Sequence, residues 1–325
     1  MLLRSNTAHE SAPHCVGVLG LGLIGRAVVE SLQKRGYVPV RSQKLTWDSP
    51  PRLREELREV GDPTLGDSAC EFIWCAGRAG FAATDAETSR ELGTFETVLE
   101  WAESIAAKSV ERQVGFSMMS SAGGLYEGQQ RVDEQSPCRP CRPYGRLKLH
   151  QERRLRESPK LSQRRIFRPS SVYGWLRSDQ RKGLIPTLIH NGLRNQETSF
   201  DGSFNTLRDY VWVGDVAEIV VRSLFPKHDD TPTNSTRFIA SGQPSSIFQI
   251  KQLVEATIGR RLQLKFVSQA SNALDTTFSA NCVRDNGPLT DMSVAIRRIA
   301  ADFSSNGVSL ELRRPHITIK RECLT

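Results

Sequence analysis

The sequence predicts an α/β protein in which a parallel sheet carries helices on both faces. Three observations support this fold class. Short apolar runs alternate with helical patterns from residue 14 to about residue 168. A glycine-rich turn joins the first of those runs to the first helix. After Arg168 the loops lengthen and proline and glycine become more frequent, which indicates a second, smaller unit.

The individual elements follow from hydrophobic periodicity and turn residues. Strands are predicted at Cys15–Leu19, Tyr37–Val40, Phe72–Cys75 and Val114–Met119. Helices are predicted after the glycine turn and at Pro51–Val60, Ala86–Lys108, Leu184–Leu193, Asp215–Phe225, Ile247–Ile258 and Met292–Phe303.

These elements divide the chain into three parts. Residues 1–13 are polar and end in Ala-Pro, so we expect a flexible tail. Residues 14–176 form the sheet domain, to which a segment around 205–240 is expected to return. Residues 177–325 form the smaller α/β subdomain and a basic C-terminal tail.

The composition is that of an ordinary globular protein. The 325 residues are 38% hydrophobic and 25% charged, with a net charge of +8. The apolar content excludes disorder as a description of the whole chain, and no apolar run reaches the length of a membrane span. The start of the sequence lacks the apolar core of a secretory signal, and the seven cysteines are scattered, so we expect reduced thiols and a cytoplasmic protein without a membrane partner.

The positive charge is concentrated in one stretch. Residues 139–168 hold eleven basic residues, opposed only by Glu152 and Glu157. Such a stretch is compatible with a nucleic acid, a phosphate-bearing ligand or a solvated helix face. The scarcity of aromatic residues within it disfavours base stacking and a nucleic-acid partner.

The glycine turn is the first functional signal. Its sequence, Gly20-Leu21-Gly22-Leu23-Ile24-Gly25, fits G-x-G-x-x-G between a strand and a helix. Glycines at these positions allow a tight turn, an approach to a pyrophosphate and close packing of the helix on the sheet. We therefore predict a dinucleotide site at Gly20, Gly22, Leu23, Ile24 and Gly25.

The end of the second strand bears on the choice of cofactor. An NAD-selective site usually has an acid there, whereas this chain has Arg41 and Ser42 and no acid before Asp48. The pattern favours NADP(H), with NAD(H) as the alternative. On a second interpretation, Arg41 is a solvated loop cation.

A second signal lies at Tyr144 and Lys148. Their spacing places both side chains on one helix face, and an ammonium beside a phenol favours the phenolate. Ser121, at the end of an upstream strand, offers a hydroxyl for a substrate oxygen. This set predicts proton transfer by Tyr144 as general acid or base.

From Val16 to Phe303 the chain resembles the extended short-chain dehydrogenase/reductases, the NAD-dependent epimerase/dehydratases that act on nucleotide sugars. The matching pieces keep the order of that family: GLGLIG (20–25), CAGR (75–78), SSAGGLY (120–126), PYGRLK (143–148), FRPSSVYG (167–174), GLIP (183–186) and RDYVWVGDVA (208–217). The resemblance implies a Rossmann-type sheet with a C-terminal substrate-binding subdomain, and a homodimer.

The resemblance also implies roles for individual residues. Ser121, Tyr144 and Lys148 match the catalytic residues, and Tyr144 and Lys148 also meet the cofactor. The implied cofactor residues further include Trp47, Cys75, Ala76, Gly77 and Arg78, and the implied substrate residues are Ser121, Ser171, Leu184 and Arg208. No metal site is predicted.

The chain departs from the family pattern at several positions. Leu19 stands at an expected glycine, Leu92 precedes Gly93-Thr94 in place of an asparagine, and Ser171 replaces another asparagine. Residues 268–275 lack an arginine that is common near the nucleotide. The identity of the nucleotide and the sugar therefore stays open.

Three functions remain. Ala122-Gly123 follows Ser121 where a 4,6-dehydratase has an Asp-Glu pair, so dehydration is disfavoured. The main prediction is a ketoreductase that transfers hydride from NADPH to a keto nucleotide sugar. The alternatives are a nucleotide-sugar 4-epimerase with tightly bound NAD and, in another class, a non-catalytic Rossmann sensor or scaffold.

Overall fold

The computed structural model describes residues 1–6, 13–62, 69–108, 113–176, 183–225, 233–267 and 274–305. Within these ranges one seven-stranded sheet and three two-stranded sheets form the framework. The strands are β1 Leu2–Ser5, β2 Cys15–Leu19, β3 Tyr37–Arg41, β4 Ala69–Trp74, β5 Gln113–Met119, β6 Gln163–Pro169, β7 Ser171–Tyr173, β8 Thr198–Asp201, β9 Leu207–Arg208, β10 Tyr210–Trp212, β11 Asn234–Ile239, β12 Ser245–Ser246 and β13 Leu264–Val267.

The helices lie between these strands, as alternating apolar and turn residues predict. They are α1 Leu23–Lys34, α2 Pro50–Val60, α3 Asp85–Ala106, α4 Ala122–Leu125, α5 Pro143–Arg156, α6 Leu184–Leu193, α7 Val213–Arg222, α8 Ile247–Ile258 and α9 Met292–Ser304. None of the helices in the described ranges is both long and apolar enough to cross a membrane.

The large sheet has the order β11-β6-β5-β4-β2-β1-β3. The neighbours from β2 through β4, β5 and β6 to β11 pair in parallel. Parallel neighbours place their carboxyl ends at one edge of the sheet, which is where ligands bind in such folds. The fold is thus the Rossmann-like α/β arrangement that the sequence predicts.

Strand β1 is the unexpected member of this sheet. It lies between β2 and β3 and is antiparallel to both, with Leu2 opposite Gly17 on one side and Arg41 on the other. Leu3 is completely buried. The expectation of a flexible tail over residues 1–13 is therefore wrong for Leu2–Ser5, whereas residues 7–12 lie outside the described part.

Helices cover both faces of the sheet because successive strand residues point to opposite sides. On one face α1 packs against α7, with Val28, Val16 and Val220 in a shared core. On the other face Leu57 of α2, Phe95 of α3 and Leu155 of α5 share a core with Cys15 of β2. This two-sided burial explains why the central strands are almost continuously apolar.

The C-terminal helices form a core of their own. Helices α6, α8 and α9 pack around Leu188, Val254 and Ile299. The chain nevertheless returns to the large sheet, because β11 pairs in parallel with β6. The sheet and the smaller helical layer are thus joined by the segments between β7 and β11.

Candidate active site

The glycine turn lies between the carboxyl end of β2 and the start of α1. Gly20 has a φ of +94°, and a Cβ there would lie 2.5 Å from the backbone of Ala76. A Cβ on Gly25 would overlap the carbonyl oxygen of Gly20. Gly22 caps α1 and has nothing within 4 Å of its Cβ position. The turn thus leaves open space directly before a helix N-terminus, where a phosphate fits.

A cavity of about 700 Å³ opens in front of this turn. Its wall includes Gly20, Gly22, Trp47 and the run 75–78, all predicted cofactor residues. Leu23 and Ile24 stand at the start of α1, and Ile24 packs against the core on the α1–α7 face. The cavity and the glycine cradle together fit a dinucleotide cofactor.

The structure does not bring Arg41 and Ser42 to this cavity. Because β1 separates β3 from β2, the end of β3 stands two strand spacings, or about 10 Å, from β2. Arg41 donates instead to the Val60 carbonyl oxygen at 3.4 Å and to Gln43 Oε1 at 3.2 Å. Asp48, which sequence reasoning did not select, lies in the cavity wall.

Trp47 and Cys75 form fixed parts of the wall. The Trp47 ring packs edge-on against Trp74 with centroids 5.8 Å apart, and Thr94 donates to the Trp47 carbonyl oxygen at 3.0 Å. Burial raises the pKa of the Cys75 thiol to about 12, against a smaller lowering effect of the Lys148 charge. Cys75 is therefore a neutral thiol at physiological pH.

The structure brings the three predicted catalytic residues together. Helix α5 approaches α4 closely at Gly145, where a Cβ would overlap the Gly124 carbonyl oxygen. A Cβ on Gly124 would lie 3.0 Å from the Tyr144 ring and 3.4 Å from Ser121 Oγ. Lys148 Nζ is 5.8 Å from the Tyr144 ring centroid. A phenol, a hydroxyl and a buried ammonium thus share one small region.

A buried network holds the strand end that carries Ser121. Ser120 Oγ donates to Glu152 Oε1 at 2.6 Å, and Arg168 binds both oxygens of Glu152 at 2.9 and 2.6 Å. Burial alone would raise the pKa of Glu152, but the hydrogen bonds and charge of Arg168 outweigh it and lower that pKa. The carboxylate therefore stays ionised and anchors the end of β5.

Glu91 is a site residue that sequence reasoning missed. Its carboxylate lies in the cavity wall, 3.5 Å from Lys148 Nζ, and accepts hydrogen bonds from the backbone after Gly77. It stands 57 positions before Lys148 on another helix, so no local pattern signals the contact.

The predicted substrate residues stand on separate elements near the domain junction. The Ser171 N–H donates to the Asp209 carbonyl oxygen at 3.1 Å, which ties the start of β7 to the residue after Arg208. Leu184 is the first residue of α6 and is half-buried. The structure thus brings Ser171 and Arg208 to one junction, with Leu184 on the neighbouring helix.

The glycine turn, the cavity and the cluster of Ser121, Tyr144 and Lys148 are arranged as in a dinucleotide-binding protein of the short-chain dehydrogenase/reductase class. The family model described as "NAD dependent epimerase/dehydratase family" matches residues 16–234. The chain belongs to this family, and an NAD(P) cofactor follows from that membership.

Relatives and structural neighbours agree with the family. A Methanocaldococcus jannaschii protein, named "Putative UDP-glucose 4-epimerase", is 31% identical over 150 residues. That match spans 44% of this chain and 47% of the relative, or about half of its length.

Among the solved structures that share the fold are two with a bound cofactor. The Thermus thermophilus UDP-glucose 4-epimerase in complex with NAD has a TM-score of 0.72 and 20% identity, and it covers 89% of this chain and 98% of its own. RMD from Pseudomonas aeruginosa, complexed with NADPH, has a TM-score of 0.68 and 19% identity. The match covers 89% of this chain and 99% of the RMD chain.

Proposed function

We propose that this protein is a nucleotide-sugar 4-epimerase with tightly held NAD, most directly of the UDP-hexose type. The comparisons support this alternative better than the ketoreductase that the sequence favours, because proteins named as UDP-glucose 4-epimerases are similar to this chain both in sequence and in structure.

The side chains suit reversible oxidation of a sugar alcohol. In the proposed role Tyr144 accepts the proton of the sugar hydroxyl at its phenolate oxygen and later returns it. Ser121 Oγ orients the same sugar oxygen, and the Lys148 ammonium stabilises the phenolate. NAD supplies the hydride acceptor when it is bound.

The residues after Ser121 limit the chemistry. Elimination of water needs a further acid and base beside the sugar, whereas Ala122 and Gly123 are small and neutral, and a short helix begins there. The juxtaposition of Ser121, Tyr144 and Lys148 without such a pair is the observation that carries the proposal.

The position of Arg41 supports NAD over NADP. The predicted preference for NADP(H) depended on Arg41 next to the glycine turn, and β1 separates the two. A purified preparation should release NAD⁺ on denaturation, identified by chromatography. A preparation that releases no nucleotide and binds NADPH reversibly would favour the ketoreductase.

The activity test uses UDP-glucose. We expect the wild-type protein to form UDP-galactose, followed by the anomeric proton in NMR, without added reductant. If UDP-glucose and UDP-N-acetylglucosamine both stay unchanged while a keto nucleotide sugar is reduced with NADPH, the epimerase assignment is refuted.

The substrate contacts and assembly belong to the same proposal. In this role Arg208 offers its guanidinium to the substrate diphosphate, while Ser171 and Leu184 line the sugar side. A homodimer through α3 and α5, as the family resemblance implies, stays a prediction that analytical ultracentrifugation can test.

A further inference from the structure

The Glu91 carboxylate is almost fully enclosed, and both of its oxygens are engaged. Glu91 as a whole is only 8% exposed. Oε2 accepts from the backbone N–H groups of Arg78 and Ala79, each at 2.8 Å. Oε1 accepts from Lys148 Nζ at 3.5 Å. One side chain of α3 therefore contacts both the turn that lines the cavity and the ammonium beside Tyr144.

The turn at Gly77 is shaped around this carboxylate. Gly77 has a φ of +155°, and a Cβ there would lie 2.9 Å from Glu91 Oε1. A side chain at this position would displace the carboxylate. The close approach leaves Glu91 in direct contact with the backbone that forms the cavity wall.

Lys148 needs a partner of opposite charge because it is buried. Lys148 is 5% exposed, and its Nζ also donates to the neutral Gln151 Oε1 at 3.0 Å. A buried ammonium without a carboxylate is costly, so the pair with Glu91 holds the charge in place.

We infer that Glu91 is a positioning residue that links the cofactor wall to the proton-transfer pair. By holding Lys148 and the Gly77–Ala79 turn with one carboxylate, it fixes the ammonium relative to the bound cofactor and to Tyr144. The inference deepens the proposed function, on which its catalytic meaning rests, but the contact itself is open to a test that needs no substrate.

The link depends on the charge of Glu91. Glu91 is the acidic group that faces Lys148, and burial keeps the nearby Cys75 thiol neutral. Replacing Glu91 by glutamine keeps the shape of the side chain, but it removes the charge partner of the buried ammonium and weakens the acceptor for the Arg78 and Ala79 N–H groups. Both contacts should then loosen, so NAD⁺ should bind less tightly.

Cofactor binding can be measured without substrate. Calorimetric titration of nucleotide-free protein with NAD⁺ gives the dissociation constant, and circular dichroism shows whether the variant keeps its fold. We expect Glu91→Gln to raise the Kd for NAD⁺ by about tenfold.

Two further variants make the test decisive. Glu100→Gln changes the same residue type on the same helix, where the side chain pairs with Arg54 at the surface, and should leave the Kd for NAD⁺ unchanged. Glu91→Asp keeps the charge and should bind NAD⁺ more tightly than Glu91→Gln does. An unchanged Kd in folded Glu91→Gln overturns the inference, and so does an equal loss of affinity in Glu91→Asp.

Activity supplies the second measurement. With UDP-glucose as substrate, Glu91→Gln should lower kcat more than it changes KM, because Lys148 acts in the proton transfer. A change in KM alone would contradict a role in positioning Lys148. If the wild-type protein does not turn over UDP-glucose, the proposed function fails, while the affinity for NAD⁺ still decides the role of Glu91.

Discussion

Tyr144 is the residue on which the proposed chemistry depends most. We expect Tyr144→Phe to lower kcat by about 10²–10⁴-fold, because the phenylalanine keeps the ring but cannot transfer a proton. Cofactor content should stay near the wild-type value. Steady-state kinetics and nucleotide analysis of the same preparation give both numbers.

The matched control is Tyr37→Phe. The Tyr37 hydroxyl donates to the Pro13 carbonyl oxygen, away from the cavity, so its loss should leave kcat unchanged. A fully active Tyr144→Phe protein would contradict the role assigned to Tyr144.

Glu152 is a single residue that links the stability of the fold to pH. The lowered pKa of Glu152 means that its stabilising effect is present above the usual carboxyl range and is lost as pH falls through the folded-state pKa. Glu152→Gln should lower the free energy of unfolding at pH 7 by about 3 kcal/mol, because Arg168 then stays buried without its charge partner.

Urea denaturation at pH 7 and at pH 4 measures both effects. The difference between wild type and Glu152→Gln should shrink at the lower pH. The surface pair of Arg153 and Glu157 supplies the control, and Glu157→Gln should have little effect at either pH. An equal loss of unfolding free energy in Glu152→Gln at both pH values would show that Glu152 acts through packing and not through its charge.

Among the secondary-structure elements, β1 is the strand whose contribution to the free energy of unfolding can be tested most clearly. Leu3 is completely buried between the helices and the sheet, so Leu3→Ala should lower the free energy of unfolding by about 2–5 kcal/mol. Val40 on the edge strand β3 is 48% exposed, and Val40→Ala should change the free energy of unfolding by less than about 0.5 kcal/mol. Similar values for the two variants would refute the pairing of β1 inside the sheet.

Local patterns predict the long helices and the strands β2 to β5, whereas β1 and the strands from β6 onward are absent from the prediction. Periodicity and caps place α6 and α8 at the residues where the structure has them, and β2 begins and ends as predicted. Strand β1 has only four residues, and its burial depends on two partners elsewhere in the chain. A pattern of four residues does not specify a register.

At the scale of the whole molecule, the basic stretch at 139–168 is largely neutralised. Eight of its side chains have an acidic partner within 4 Å, contributed mostly by other parts of the chain; they are Arg142, Arg146, Lys148, Arg153, Arg154, Arg156, Arg165 and Arg168. Arg165 is not on a solvated face, since it is buried in β6 against Glu71.

This pairing bears on nucleic-acid binding. Lysine and arginine side chains bind nucleic acid by neutralising phosphates and displacing the counterions condensed on them, and arginines already paired with carboxylates are less available for this. We expect no binding of a 20-base-pair duplex at micromolar protein and 150 mM salt in a fluorescence anisotropy titration. Submicromolar binding that weakens steeply with salt would contradict this reading of the charge.

The sequence alone can reveal only part of the candidate site. Ser121, Tyr144 and Lys148 sit in recognisable local segments, and the structure brings them together. The partners Glu91, Glu152 and Glu71 are ordinary helix and strand acids until the fold places an ammonium or guanidinium beside each one. Such pairs depend on tertiary contacts, which no spacing along the chain encodes.

The direction of β1 has a practical consequence for protein production. Because β1 is antiparallel to β2, its first residues lie at the carboxyl edge of the sheet, where the Met1 amino group donates to the Val18 carbonyl oxygen at 2.8 Å. An affinity tag fused ahead of Met1 would leave from the edge of the sheet at which β2 ends and the glycine turn begins. A cleavable tag, removed before cofactor content is measured, keeps that edge clear.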